Sequence, residues 1–383
     1  MTNKKKILIF IDWFLPGIKA GGPIKSISAL VNLLNSEFDF YIVTSNTDFG
    51  EKNPYVNLES NTWLNYKSGV KIIYYAKGKI THKEIKKQIK FIQPEVVYLN
   101  SFFSYTYSIL PLLVLNKISF NGKIIIAPRG MLSEGALKIK SFKKRIFLAI
   151  SKIVKLHKHV IWHSTKSDET TDIKRYFKNA RITEIQNIPN IQLKKEITEL
   201  SKKPNELRLI YLGRIAKNKN LKKVLEILSL IKDAEIELSI YGYIEDEMYW
   251  NECQQLIAMF TKNIKAEYKG ILNEEKVQQQ LTQHHYLIML SYSENFGHAI
   301  VEALTCGTPV IIGENTPWQA LEMHHAGSNV NINDNGNILK AINKALSITD
   351  DDFKIQQRNS LKYASEKCFN PYIKNKYISL FNN

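Results

Sequence analysis

Short apolar runs alternate with helical patterns along almost the whole chain, and this alternation restricts the fold more than any other feature. The runs in the first half are KILIFI (Lys6 to Ile11), FYIVTS (Phe40 to Ser45), VKIIYY (Val70 to Tyr75), VVYLN (Val96 to Asn100), KIIIAP (Lys123 to Pro128), HVIWHS (His159 to Ser164) and ITEIQN (Ile182 to Asn187). Between them, stretches such as SISALVNLLNS and HKEIKKQIKFI carry apolar residues at helical spacing. Strands separated by helices predict a parallel, doubly wound sheet. A polar stretch, QLKKEITELSKKPNE, interrupts the pattern at 192–206. It then restarts with LRLIYLG, IELSIYG, AEYKG, YLIML and PVIIG. The expectation is an α/β chain of two doubly wound domains, 1–191 and 207–364, joined by a linker at 192–206. The pattern PYIKNKYISLF within 365–383 predicts a helix packing back on the first domain. Two such sheets facing each other leave a cleft at their strand ends, where ligands bind.

Length and composition agree with this. A chain of 383 residues, 44% hydrophobic and 23% charged, suffices for two cores. The three cysteines, Cys253, Cys306 and Cys368, are far apart and odd in number, which argues against a disulfide framework and for a reducing compartment. The opening MTNKKKILIFIDWF has too short an apolar stretch for a signal peptide, and no run reaches the length of a membrane span. The expected location is the cytoplasm. The net charge of +17 is uneven: LKIKSFKKRIFLAISKIVKLHKH carries eight Lys or Arg and no acidic residue, with apolar positions 139, 142, 146, 150, 153 and 154 at helical spacing. A basic amphipathic helix over 138–158, or two with a break, fits an anionic membrane surface. It equally fits a helix with its stripe in the core and a solvated basic face.

One stretch concentrates candidate chemistry. In SYSENFGHAIVEALTCGTPVIIGENTPW a strand, a loop, a helix and a strand follow one another. Glu294 lies in the loop after the first strand, and Glu302 along the helix. Free N–H groups of the first turn, near Asn295, Phe296 and Gly297, favour an anion at the same place. The plainer reading makes Glu294 and Asn295 helix caps and Glu302 a solvated residue. In YLGRIAKNKNLKK a strand ends at Gly213, and Arg214 and Lys219 suit a diphosphate, the one as a fork and the other as a point charge; Lys217 is an alternative to Lys219. Gly21 and Gly22 follow the first strand, where glycine lets backbone approach a ligand. Arg129 stands after a strand in IIIAPRGML, in a position to meet phosphate or carboxylate, while His163 reads as a satisfied core histidine. The adjacent pairs His284–His285 and His324–His325 cannot each face one site on a helix, so no metal cluster is expected. TDDDF at 349–353 reads as a helix start.

With its context SENFGHAIVEALTCGTPVI, the pair Glu294 and Glu302, seven residues between them, resembles the paired-glutamate motif of the retaining family 4 glycosyltransferases. Gly21–Gly22 is similar to that family's N-terminal glycine loop, and Gly213–Arg214 with Lys219 to its diphosphate clamp. Pro189–Asn190 resembles the end of its first domain, and YKGILNEEKVQQQL its nucleobase segment. APRGMLSEGALKIKSFKKR and ENTPW resemble a bacterial subgroup that builds surface polysaccharides. The resemblance implies the GT-B architecture and transfer of a sugar, with retention, from a nucleotide diphosphate sugar, UDP- or GDP-linked. The acceptor would be a lipid-linked or growing saccharide of O-antigen, capsule or exopolysaccharide, at the inner face of a bacterial membrane. Glu294, Arg214 and Lys219 would act catalytically. Gly21, Gly22, Arg129, Gly213, Asn295, Phe296, Gly297 and Glu302 would contact the donor, with Glu302 on the ribose. No cofactor and no obligate metal are implied. Three departures stand out: Leu290 replaces a proline, Arg129 a donor-contacting histidine, and Asn220 the glycine after the clamp lysine.

Two other classes share some of these features. A nucleotide-sugar epimerase of the same architecture needs acid–base residues poised on the sugar, and no convincing set is present. A nucleic-acid binder would suit the charge, but stacking aromatics are not interleaved with the basic residues and no nucleic-acid motif occurs, so no nucleic-acid partner is expected.

Overall fold

The computed structural model describes residues 4–138, 141–190 and 197–382. The chain divides into two compact units, one formed by residues 1–188 and 371–383 and the other by 189–370.

Eight strands build the sheet of the first unit: β1 (Lys5–Phe10), β2 (Phe38–Ser45), β3 (Trp63–Lys67), β4 (Val70–Tyr75), β5 (Val96–Leu99), β6 (Lys123–Ile126), β7 (Val160–Ser164) and β8 (Arg181–Glu184). Their order is β3-β4-β2-β1-β5-β6-β7-β8, parallel except where β3 pairs with β4. Six strands build the second: β9 (Glu206–Leu212), β10 (Glu235–Tyr241), β11 (Ile264–Tyr268), β12 (Tyr286–Met289), β13 (Val310–Gly313) and β14 (Gly327–Val330), in the all-parallel order β11-β10-β9-β12-β13-β14. Each sheet is therefore doubly wound, and each has one place where the order reverses: between β1 and β5, and between β9 and β12. Ligand crevices form beyond the strand ends at such points.

Strands buried on both faces show as apolar runs, and each of the twelve runs contains a strand within two or three residues of its expected bounds. Two strands carry no such signal. β3, WLNYK, is an edge strand with two exposed residues. β14, GSNV, is strand by virtue of Gly327, whose φ of +144° brings the backbone so near Val310 that a Cβ would lie 2.0 Å from its carbonyl oxygen.

The segment read as a linker, 192–206, differs in its described part. Residues 197–205 pack on the second unit, and β9 begins at Glu206. The Leu200 N–H donates to Gln357 Oε1 at 3.0 Å and the Lys202 N–H to Asp350 Oδ1 at 2.8 Å. The Lys202 side chain is buried, and its ammonium donates to the carbonyls of Lys203 and Leu346. A charged composition hid this because the lysine's long apolar stem does the packing. Residues 192–196 lie outside the described residues.

The C-terminal helix Ile373–Asn382 belongs to the first unit, where Ile373, Tyr377, Leu380 and Phe381 join a core with Phe38, Phe40 and Tyr98. The three cysteines are buried and free. Among the described residues no helix is long and apolar enough to cross a membrane, and no group of three or more His, Cys, Asp or Glu is placed to hold a metal ion. His285 is spent on structure: its ring accepts the Arg208 N–H at 3.0 Å and lies 3.1 Å from the Ser201 carbonyl.

Candidate active site

At the reversal between β9 and β12 the structure brings together residues far apart in sequence. Gly213 and Arg214 directly follow β9, and a short turn, Lys217–Lys219, leads into the next helix. This turn is fastened to the exit of β12. The Tyr292 N–H donates to the Asn218 carbonyl at 3.1 Å, and the Asn220 amide to the Leu290 carbonyl at 3.0 Å. Asn220 has φ +56°, in the left-handed region open to glycine and tolerated by asparagine. Its departure from glycine thus keeps the backbone shape and adds a bond to β12.

The result is a contact between Lys219 Nζ and Glu294 Oε1 at 2.5 Å, both side chains largely buried. The plainer reading of Glu294 and Asn295 as caps does not describe the geometry. The helix begins at His298, the first residue of the run HAIVEALTC, and Gly297, at φ +74°, serves as its N-cap without a side-chain bond. Asn295, Phe296 and Gly297 are therefore loop, not first turn. The loop is pinned from ENTPW: the Glu294 N–H donates to the Asn315 carbonyl at 3.0 Å, and the Trp318 indole N–H to the Phe296 carbonyl at 2.5 Å. Glu302 is buried rather than solvated. It lines a cavity of about 290 Å³ with Asn190, Glu274, Glu275, Val277 and Gln278. The helix Glu274–Leu281 from the segment YKGILNEEKVQQQL thus shares a cavity with the second glutamate.

Arg214 is paired with a residue that the sequence did not single out. Its guanidinium lies 2.5 Å from Glu245 Oε2. β9 and β10 run parallel, and the Ile215 N–H donates to the Tyr243 carbonyl at 2.8 Å, so the loops after both strands lie side by side. An acid at the end of the neighbouring strand was the available signal. Gly213 is overlain by Gly242, where a Cβ would fall 1.8 Å from the Gly213 carbonyl oxygen.

The remaining candidates lie in the first unit. Gly21, φ +67°, caps the helix Gly22–Leu34, and nothing lies within 4 Å of where its Cβ would be. The preceding loop is held by Asp48, whose carboxylate accepts the N–H groups of Ile18 and Lys19 at 2.9 and 3.2 Å. Arg129, φ +55°, is bound into a polar network at the strand ends. Its guanidinium donates to Asn187, to Tyr98 Oη at 3.0 Å and to Asn100 Oδ1 at 2.8 Å. Tyr98 Oη in turn sits 2.6 Å from His163 Nδ1, whose Nε2 is 2.9 Å from the Ile185 carbonyl. His163 is a satisfied core histidine, as its sequence context suggested.

Burial, with Arg129 nearby, pushes the His163 pKa from its ordinary 6.5 down to about 3. Burial likewise depresses His157 to about 4 and His285 to about 3. These histidines fold neutral, so their contribution is intact above pH 6.5 and is lost as pH falls toward their folded values. Each costs about 1.4 kcal/mol per pH unit in that interval. Asp12, raised by burial to about 6, opposes them over a narrower range. The thermal midpoint is expected to fall from pH 7 to pH 5 by about 5 °C or more. The fall should be shallower in His163→Gln; an unchanged slope in that variant would show that His163 does not carry the effect.

Residues 193–367 match the family described as glycosyl transferases group 1. No curated protein sequence matches the chain. Among solved structures, sucrose-phosphate synthase from Thermosynechococcus elongatus is similar at TM-score 0.72 and 15% identity, covering 99% of this chain and 98% of the other. Anabaena HepE in complex with UDP and glucose is similar at TM-score 0.68 and 13% identity, covering 98% and 99%. The lipopolysaccharide outer core galactosyltransferase WaaB, apo form, is similar at TM-score 0.62 and 15% identity, covering 98% and 99%. These likenesses establish the architecture: the chain is a two-domain α/β protein of the GT-B fold, and its residues 193–367 are similar to the glycosyl transferases group 1.

Proposed function

We propose that this protein is a retaining glycosyltransferase of family 4, moving a sugar from a nucleotide diphosphate sugar to a hydroxyl of a lipid-linked or growing surface saccharide. The observation that carries the reading is the Lys219–Glu294 contact at the sheet's reversal point. Donor binding would exchange this ion pair for two contacts. The ammonium of Lys219 turns to the diphosphate, and the carboxylate of Glu294 accepts hydroxyls of the sugar. Arg214 makes a similar exchange, leaving Glu245 for phosphate. Glu302 holds the ribose from its cavity, with Val277 and Gln278 against the base. Gly213 and the loop Asn295–Gly297 offer backbone to the same ligand.

In the reaction the bond from the anomeric carbon to the phosphate oxygen breaks, and the acceptor oxygen bonds to that carbon on the same face. The acceptor's proton passes to the departing phosphate oxygen. Charge that gathers on the diphosphate is met by Arg214 and by the largely buried Lys219, both held in place beforehand by their carboxylate partners, so no divalent metal is required. Gly21 and Gly22 would admit phosphate or acceptor close to the backbone. Arg129, locked to Tyr98, Asn100 and Asn187, would present fixed positive charge where relatives carry a histidine. The enzyme would work at the cytoplasmic face of the bacterial inner membrane, where lipid-linked acceptors are found.

The HepE structure was solved with UDP, and WaaB is a galactosyltransferase, so uridine donors head the trial. In a thermal-shift screen of UDP, GDP, ADP and their sugars, with and without EDTA, one nucleotide family should raise the midpoint and EDTA should leave the rise unchanged. At a hundred times Kd the stabilisation is about 2.7 kcal/mol. No shift with any nucleotide would overturn the donor assignment, and a shift abolished by EDTA would overturn metal independence.

A further inference from the structure

The basic helix Ser141–Ile153 has three faces. Toward the core of its unit it turns Leu148, buried, and Phe147, packed edge-on against Phe102 and Phe103. The ammonium of Lys144 donates to the Ala136 carbonyl at 2.5 Å and lies 5.1 Å from the Phe103 ring centre, fastening the same side. On a wheel of about 3.6 residues per turn, the opposite side carries Phe142, Ile146, Ile150 and Ile153. They are exposed at 76, 43, 53 and 79%. An apolar stripe on a surface helix normally faces the core; this one faces away from it. Lys143 flanks the stripe on one side and Arg145 and Lys152 on the other, and no acidic residue occurs from 135 to 167. At 13 residues the helix is about 20 Å long, too short to span a bilayer but able to lie in its plane.

We propose that this helix docks the protein on an anionic lipid bilayer, with Phe142, Ile146, Ile150 and Ile153 entering the boundary between headgroups and acyl chains. Lys143, Arg145 and Lys152 then stand at the level of the lipid phosphates. An apolar ridge fenced by cations on both sides complements a surface that is apolar within and anionic at its rim. A second copy of the same helix would set like charges face to face. The inference deepens the reading of a lipid-linked acceptor, but it makes no use of the donor site.

The test is co-sedimentation of the full chain with phosphatidylcholine vesicles, with and without phosphatidylglycerol. Two triple variants are compared with the parent: Ile146→Ser/Ile150→Ser/Ile153→Ser, and Lys143→Glu/Arg145→Glu/Lys152→Glu. The parent should bind the anionic vesicles, and each variant should partition at least about tenfold less. Circular dichroism and the nucleotide-induced thermal shift should stay unchanged, since all six side chains are exposed and the one ring contact among them, Lys152 over Tyr176 at 5.4 Å, is a surface contact. Binding of the serine variant equal to that of the parent would overturn the proposal. So would a parent that ignores anionic vesicles but forms a dimer which the serine variant loses, because the ridge would then serve self-association. Loss of vesicle binding in both variants, from a parent that shows no nucleotide shift, would leave the docking helix standing and remove the donor reading alone.

Discussion

Glu294→Ala should lower turnover of the nucleotide-sugar donor by about a hundred- to a thousandfold, the range seen when one preorganised polar contact to a transition state is deleted. The structure explains why so much should hang on one carboxylate. Glu294 faces Lys219 at 2.5 Å, and the two side chains are 17% and 9% exposed, Lys219 being the more exposed. Removing the carboxylate takes away the acceptor for the sugar and also the group that holds the lysine in place. The loss should therefore fall on kcat more than on KM. Lys219→Ala should show a loss of the same order, and the double variant little more than either single one, because residues acting as a unit are not additive. Steady-state kinetics with the donor found by thermal shift would measure this. Full turnover in Glu294→Ala, with its fold shown intact by circular dichroism, would remove Glu294 from the mechanism.

Gly242→Ala is expected to have the largest effect on stability, about 3 kcal/mol or more, enough to lose much of the second unit's folded population. Gly242 sits at φ +150°, and a Cβ there would meet the Gly213 carbonyl oxygen at 1.8 Å, a contact with backbone that no rotamer relieves. Two further bonds hold the position: its N–H donates to the Gly270 carbonyl at 2.8 Å, and its carbonyl accepts from Tyr268 Oη at 2.8 Å. Gly213→Ala is the control, since its Cβ would find its nearest neighbour at an ordinary 3.6 Å. Chemical denaturation of both variants should show a large loss in the first and a small one in the second. Comparable losses would mean that the Gly242 approach relaxes.

What could be read from the sequence, and what could not, follows from the range of the forces involved. Parallel strands buried on both faces leave a local apolar signature, so β1, β9 and β12 were legible, and with them the loops that carry Arg214 and Glu294. β14 was not, because its position rests on a close approach of Gly327 to Val310, and a tetrapeptide GSNV gives no hint of its neighbour. The glutamate helix was legible from His298 onward, but composition cannot reveal that Gly297 has entered the left-handed region, which leaves Asn295, Phe296 and Gly297 as loop and not as its first turn. Glu245 was missed since its pairing with Arg214 depends on β9 lying beside β10. The basic helix was visible as a periodicity, but period alone leaves open which side faces inward; its stripe proved to be outward.

The two halves of the first unit's core are made at different times. The core of the first unit contains Ile373, Tyr377, Leu380 and Phe381, which leave the ribosome only after residues 189–370 have been synthesised. Phe38 and Phe40 wait, in effect, for Phe381, which sits against them at ring separations of 5.5 and 6.5 Å. Domains usually fold as units from the N-terminus during synthesis. Here the earlier unit stays unfinished, with an apolar face of its sheet open, while the later one is still emerging. The nascent first unit is thus a natural client for chaperones, and its completion is tied to the arrival of a single helix.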